Sequence, residues 1–147
     1  MTVSDPYSKG MLKVHPYAKK KDVVGELVAI LDGRLEQRGL QLIKPISRAL
    51  AVNEIHEIII TDEEEAGPGK IVNRIAYLAF FEVKGPGVVV TGDPVYLKGK
   101  HLGYIAGFDE THMPNHINMV IYSKERLTGI QQGAEIGQQL LIKSPDR

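Results

Sequence analysis

The chain contains no cysteine. Thiol nucleophiles, thiolate zinc sites and iron–sulfur ligation are therefore excluded, and no disulfide exists to report on the redox compartment. An excess of either charge is lacking too: Lys plus Arg and Asp plus Glu both number 18, so the formal net charge is zero. Without a long-range field, neither nucleic acid nor an anionic membrane surface is expected as a partner. No apolar run approaches the roughly 18 residues that a spanning helix needs. The longest, Ile75 to Phe81, has the length of a strand. The opening segment MTVSDPYSKGMLKVHPYAKKK has neither an apolar h-region nor a small-residue cleavage site, so a cytoplasmic chain without a secretory signal is expected.

Nucleotide and hydrolase signatures are missing as well. Gly67-Pro-Gly-Lys70 ends like a phosphate loop, but Glu64 stands where the first glycine belongs and Ile71 offers no hydroxyl for magnesium. Gly85-Pro-Gly87 lacks dinucleotide spacing, and no serine lies in a Gly-x-Ser-x-Gly elbow. The acidic run Asp62 to Glu65 reads as a solvated loop edge. No cofactor is named by any of these stretches.

What remains is a chain of 147 residues, 43 % hydrophobic, long enough for one domain with its own core and without internal repeats or a dividing linker. Residues 1–21 read as an arm with a short strand at Met11 to Val14, a lone histidine at His15 and the basic run Lys19 to Lys21, taken as a solvated face. From Asp22, a capping residue, Val23, Val24, Leu27, Val28, Leu31 and Leu35 recur at three- and four-residue spacing. That spacing predicts a long helix over about 22–38, closed by Gly39 as a left-handed C-terminal residue. Leu40 to Ile43 reads as a short strand and Pro45 as the opening of a helical turn over Ile46 to Val52.

The region 54–122 is strand-rich. Three consecutive isoleucines favour a strand over Glu54 to Asp62. A central strand from Ile71 to Val83, buried on both faces, ends at Gly85-Pro-Gly87, and Val88 to Thr91 is expected to pair back across that turn. Two short strands flank Lys98-Gly99, another runs from Ile117 to Tyr122, and the glycine-spaced tail from Ser123 reads as turns before a last strand, Gln139 to Ile142. The expected class is α+β: a single domain with an antiparallel or mixed sheet of about six strands, curled towards a barrel, under one long N-terminal helix.

The densest polar stretch is FDETHMPNHINM, Phe108 to Met119, which holds two of the five histidines. His112 and His116 have the i, i+4 spacing of a helical metal pair. Pro114 between them is incompatible with a helix interior, and Met113 stands where a metalloprotease has glutamate. A loop leading into a strand is left, and strand alternation then puts Ile117, Met119 and Ile121 in the core and His116 and Asn118 on the other face, beside Asp109, Thr111 and His112. The same sorting aligns Gly103 and Gly107 with His101 and Ile105, a flat side that should form a recess.

A carboxylate beside two imidazoles can serve three ends. Asp109, His112 and His116 could ligate a metal, Asp109 could orient a histidine as general base, or the group could bind a polar ligand without reacting. Asp93, directed by the following proline, is a candidate fourth polar group, with Tyr96, Lys98 and Asn118 as further ligand-binding residues. These residues point to a small-molecule-binding protein using histidine acid–base chemistry or a His/Asp metal site, around residues 109–118. The alternative is a homo-oligomeric assembly module in which the histidine-rich turn acts as an interface latch. His56, between Glu54 and Glu57, has a structural reading.

Overall fold

The computed structural model describes residues 20–145, and among them there are strands, turns and loops but no helix. The short strand expected at Met11 to Val14, His15 and Lys19 lie outside the described residues. Twelve strands follow in chain order: β1 Val23–Ile30, β2 Arg34–Leu35, β3 Leu40–Gln41, β4 Ser47–Leu50, β5 Ile55–Thr61, β6 Ile71–Val72, β7 Ile75–Gly85, β8 Gly87–Val90, β9 Pro94–Leu97, β10 Lys100–Asp109, β11 Asn118–Tyr122 and β12 Gln139–Ile142.

The fold class is therefore β, not α+β, and the expected helix over 22–38 is replaced by β1, a turn and β2. Its apolar spacing also contains a period of two. Val23, Gly25 and Leu27 are buried on one side while Val28 is exposed, which is strand alternation. Adjacent β-branched valines suit the pleat, and β1 gains ladders on both edges, to β12 and β7. Two ladders outweigh a weak intrinsic helix preference. The expected helical turn over Ile46 to Val52 is likewise the strand β4.

Seven strands form a closed ring in the order β1-β12-β9-β10-β11-β5-β7, with β7 pairing back onto β1. All of these pairings are antiparallel except β11 with β5. β2 continues the line of β1 along β7. The expected single strand from Ile71 to Val83 breaks after Val72: β6 pairs with β3 in a small cover, and β7 enters the barrel. β8 does not fold back across Gly85-Pro-Gly87 but pairs with β4. The Lys98-Gly99 hairpin does form, with both residues at positive φ, 54° and 77°, as a two-residue turn of that hand requires.

The barrel interior is apolar, with Phe81, Phe108, Leu27, Ile58, Ile117 and Met119 among its fully buried side chains. Gly25 is part of this packing. A Cβ there would stand 2.5 Å from the Phe81 ring, so the strand passes over the ring only because residue 25 has no side chain. A second apolar cluster lies on the outer face of β5, β10 and β11, where Ile59, Ala106 and Val120 meet Leu40, Leu42 and Val72 of the β3–β6 cover. This outer face carries the candidate site.

Candidate functional site

Strand register builds a polar row on that outer face. Asp109 on β10 stands opposite Asn118 on β11, Asn118 opposite Glu57 on β5, and Glu57 opposite Phe80 on β7. Their chain neighbours Phe108, Ile117, Met119, Ile58 and Phe81 fill the interior, so alternation turns all four side chains outward. Outward is not exposed here, because Asp109, Asn118 and Glu57 are all buried. The loop 110–117 lies over the row and is tied to β4 by Arg48, whose Nε is 3.1 Å from Glu110 Oε2 and whose Nη2 reaches Met113 Sδ at 3.5 Å.

Asp109 is spoken for. Its carboxylate accepts hydrogen bonds from Thr111 Oγ1 at 2.6 Å, the Thr111 amide at 3.3 Å and Asn118 Nδ2 at 2.8 Å. It shapes the start of the loop and aims the Asn118 side chain, leaving Asn118 Oδ1 free of partners among the described residues. It does not touch either histidine ring through a hydrogen bond, so it is a positioning group rather than the orienting acid of a histidine base.

The two imidazoles do come together. Their rings stack with centroids 5.1 Å apart and planes 27° from parallel, and His116 also meets the Phe80 ring edge-on at 5.2 Å. His112 is exposed and His116 is half-buried. His116 Nδ1 lies 2.7 Å from Asn115 Oδ1, an atom that can only accept, so Nδ1 carries hydrogen and the lone pair of the neutral ring is on Nε2. Nε2 faces Glu57 Oε1 at 3.3 Å without the alignment of a hydrogen bond, and it has no other partner among the described residues.

Burial pushes the Glu57 carboxyl above its ordinary value, with Asp109 adding to the effect and His112 and Arg38 opposing it. Burial also lowers His116, and the neighbouring His112 lowers it further; the approach of Asn118 and the charge of Asp109 work the other way. Both members of the pair are thus driven towards their neutral forms. The shifts suit the carboxyl to give a proton and the imidazole lone pair to take one.

Glu57 is the functional candidate that sequence reasoning missed. Its signal was present: on the strand face Ile55, Glu57, Ile59 and Thr61, one carboxylate interrupts isoleucines. Its neighbour His56 is structural as expected. Its Nδ1 accepts the Ile117 amide at 3.1 Å and its Nε2 meets Glu54 Oε1 at 3.0 Å, so it pins the entry of β11 to β5.

The other expected ligand-binding residues are placed elsewhere. Asp93 is engaged by Lys20 Nζ at 2.6 Å and by the Val90 amide at 2.9 Å, Tyr96 packs beside His101, and Lys98 is at an exposed hairpin tip. The recess expected beside the glycines is closed at Gly107, while a cavity of about 430 Å³ lined by His101, Gly103 and Tyr122 remains at the other end, away from His112 and His116. A β-bulge between Ile105 and Gly107 resets the alternation, turning both Ile105 and Phe108 inward, and Leu42 packs over Gly107. Among the described residues, no three His, Asp or Glu side chains are grouped as a metal ion would need, and the two-histidine, one-aspartate ligand set is not assembled. No helix there is long and apolar enough to cross a membrane.

Residues 17–143 match the family of unknown function DUF6917, and the chain belongs to that family. No curated protein and no solved structure matches it.

Proposed function

We propose that this family member is a small-molecule-binding protein whose site is the Glu57–Asn118–Asp109 row beneath His112 and His116. His116 and Glu57 exchange a proton with the ligand. The observation that carries the reading is a pair of buried polar atoms without partners, His116 Nε2 and Asn118 Oδ1, beside a carboxyl held towards its protonated form. Buried polar atoms are almost always paired, so two such orphans in one cluster favour a ligand that supplies what they lack. That ligand carries a hydrogen-bond donor for Asn118 Oδ1 and a hydroxyl or amide group able to meet the imidazole lone pair. His116 is the proton acceptor, Glu57 the proton donor, and Asp109 the group that aims Asn118.

Native mass spectrometry of the purified chain, beside His116→Gln and Glu57→Gln, tests this. A bound compound that is retained by the parent chain and lost from both variants, at similar melting temperature, supports the reading. Retention in both variants counts against it. A cytoplasmic location belongs to the same proposal and is checked by cell fractionation.

The rival reading, a homo-oligomeric module, has one observation in its favour: Ile46, Ile130 and Ile136 are large apolar side chains left well exposed. Closure of the ring removes most sheet edges from use, so assembly would have to run through faces. Light scattering at increasing concentration separates the two.

A further inference from the structure

Within the basic run near the start of the described chain, Lys21 is exposed but Lys20 is not. Lys20 is mostly buried against Asp93, and it lines a cavity of about 540 Å³ together with Lys21, Asp22, Tyr96, Lys143 and Ser144. Three lysines and one carboxylate residue line that hollow. The carboxylate, Asp22, is already occupied, since its Oδ1 accepts the Ser144 amide at 2.7 Å. Even with Asp93 set against Lys20, the hollow keeps a positive excess on a chain whose net charge is zero.

Two further features point to a ligand. Ser144 is only 7 % exposed, and its Oγ has no hydrogen-bond partner among the described residues. Lys143 Nζ stands 5.8 Å from the centre of the Tyr96 ring, so a cation and an aromatic face border the same space. Ammonium and hydroxyl groups are donors, and several donors lining one hollow match the three oxygens of a phosphoryl group better than the two of a carboxylate. The cavity is also too large for a bare oxyanion, which leaves room for an organic part along the ring.

We propose that this hollow is a second site, separate from the polar row, and that it binds a small organic phosphate ester. The phosphoryl group sits between Lys21 and Lys143 with the Ser144 hydroxyl as a further donor, and the organic part rests against Tyr96. Lys20 is a positioning residue, held by Asp93 and shaping the wall.

Amide chemical shifts of the full chain, followed during titration with phenyl phosphate, inorganic phosphate and benzoate, test the assignment. Phenyl phosphate should saturate in the millimolar range or below, move the amides of Lys21, Tyr96 and Ser144, and bind more tightly than either other probe. Lys21→Ala and Lys143→Ala should each weaken it about tenfold, the size of a lost charge-assisted hydrogen bond. Lys98→Ala, at the hairpin tip outside the hollow, should leave it unchanged. The parent chain should also lose affinity steeply with added salt, a readout that needs no substitution. Absence of saturation, equal binding of benzoate, an equal loss in Lys98→Ala, or indifference to salt would each overturn the proposal.

Discussion

Glu57 Oε1 and His116 Nε2 lie 3.3 Å apart, with the two side chains only 9 % and 13 % exposed. Burial shifts both groups towards their neutral forms, and the consequences can be measured.

The first concerns His116 itself. Its imidazole should titrate below the ordinary histidine value of 6.5, because burial and His112 both disfavour the charged ring. His112→Ala removes a like charge and opens the ring to water, so the titration should move up. Proton NMR of the ring Cε1–H across pH reads this directly; a midpoint at or above 6.5 in the parent chain would contradict the packing described.

The second concerns stability against pH. Glu57 is raised from 4.5, so above pH 4.5 the folded state holds a proton that the unfolded state releases, and stability falls as pH rises through that window. His116 is lowered from 6.5, so below pH 6.5 the unfolded state binds the extra proton, and stability is lost as pH falls. The two slopes oppose each other between these values. Glu57→Gln should leave only the histidine slope, with stability rising towards neutral pH more steeply than in the parent chain, and His116→Gln should do the reverse. Urea midpoints at half-unit pH steps would show it.

A third prediction isolates the role of Asp109. Asp109→Ala strands Asn118 Nδ2 next to the barrel wall, while the donors of the exposed Thr111 turn to water. The expected loss is about 1–3 kcal/mol, the cost of leaving a buried donor unpaired. Asp109→Asn retains an acceptor and should recover part of that loss in the same denaturation assay. If Asp109→Ala were neutral in stability, the carboxylate would not be the positioning group assigned to it.

A fourth tests the barrel. Gly25→Ala places a methyl against the Phe81 ring and should destabilise by about 1–3 kcal/mol, as overpacking does. Combined with Phe81→Leu, the same substitution should be far less harmful, so the double-mutant cycle should show strong coupling in thermal unfolding.

The packing around Gly25 also shows why the fold class is not legible in the local sequence. The apolar spacing of residues 22–38 satisfies a helix, and the residues that decide against it, Phe81 and the ladder partners on β7 and β12, are distant in the chain. Local periodicity cannot register them. Elements whose own residues settle the matter were legible: β12 over Gln139–Ile142, β11 from Asn118, the Lys98-Gly99 hairpin and the turns of the glycine-spaced tail. The inward set Ile117, Met119 and Ile121 was legible for the same reason. The candidate site was legible only in part. Pro114 placed the histidines correctly on a loop before a strand, but the third member of the cluster comes from β5, about sixty positions earlier, and only the β5–β11 register brings Glu57 to Asn118. The bulge in β10 was equally invisible, and with Leu42 it closed the Gly107 end of the recess that strict alternation implied.

An odd number of strands cannot alternate in direction all the way around a ring. Seven members force at least one neighbouring pair to run the same way, and here that seam falls between β5 and β11. Same-direction neighbours start at the same rim, so the segments feeding both strands, one carrying Glu54 and the other carrying His112 and His116, must arrive side by side. Parity thus gathers chemically capable side chains at one mouth of the cylinder. Insertions or exchanges in those two feeding segments can change which side chains are presented there while the strand pairings of the wall stay as they are.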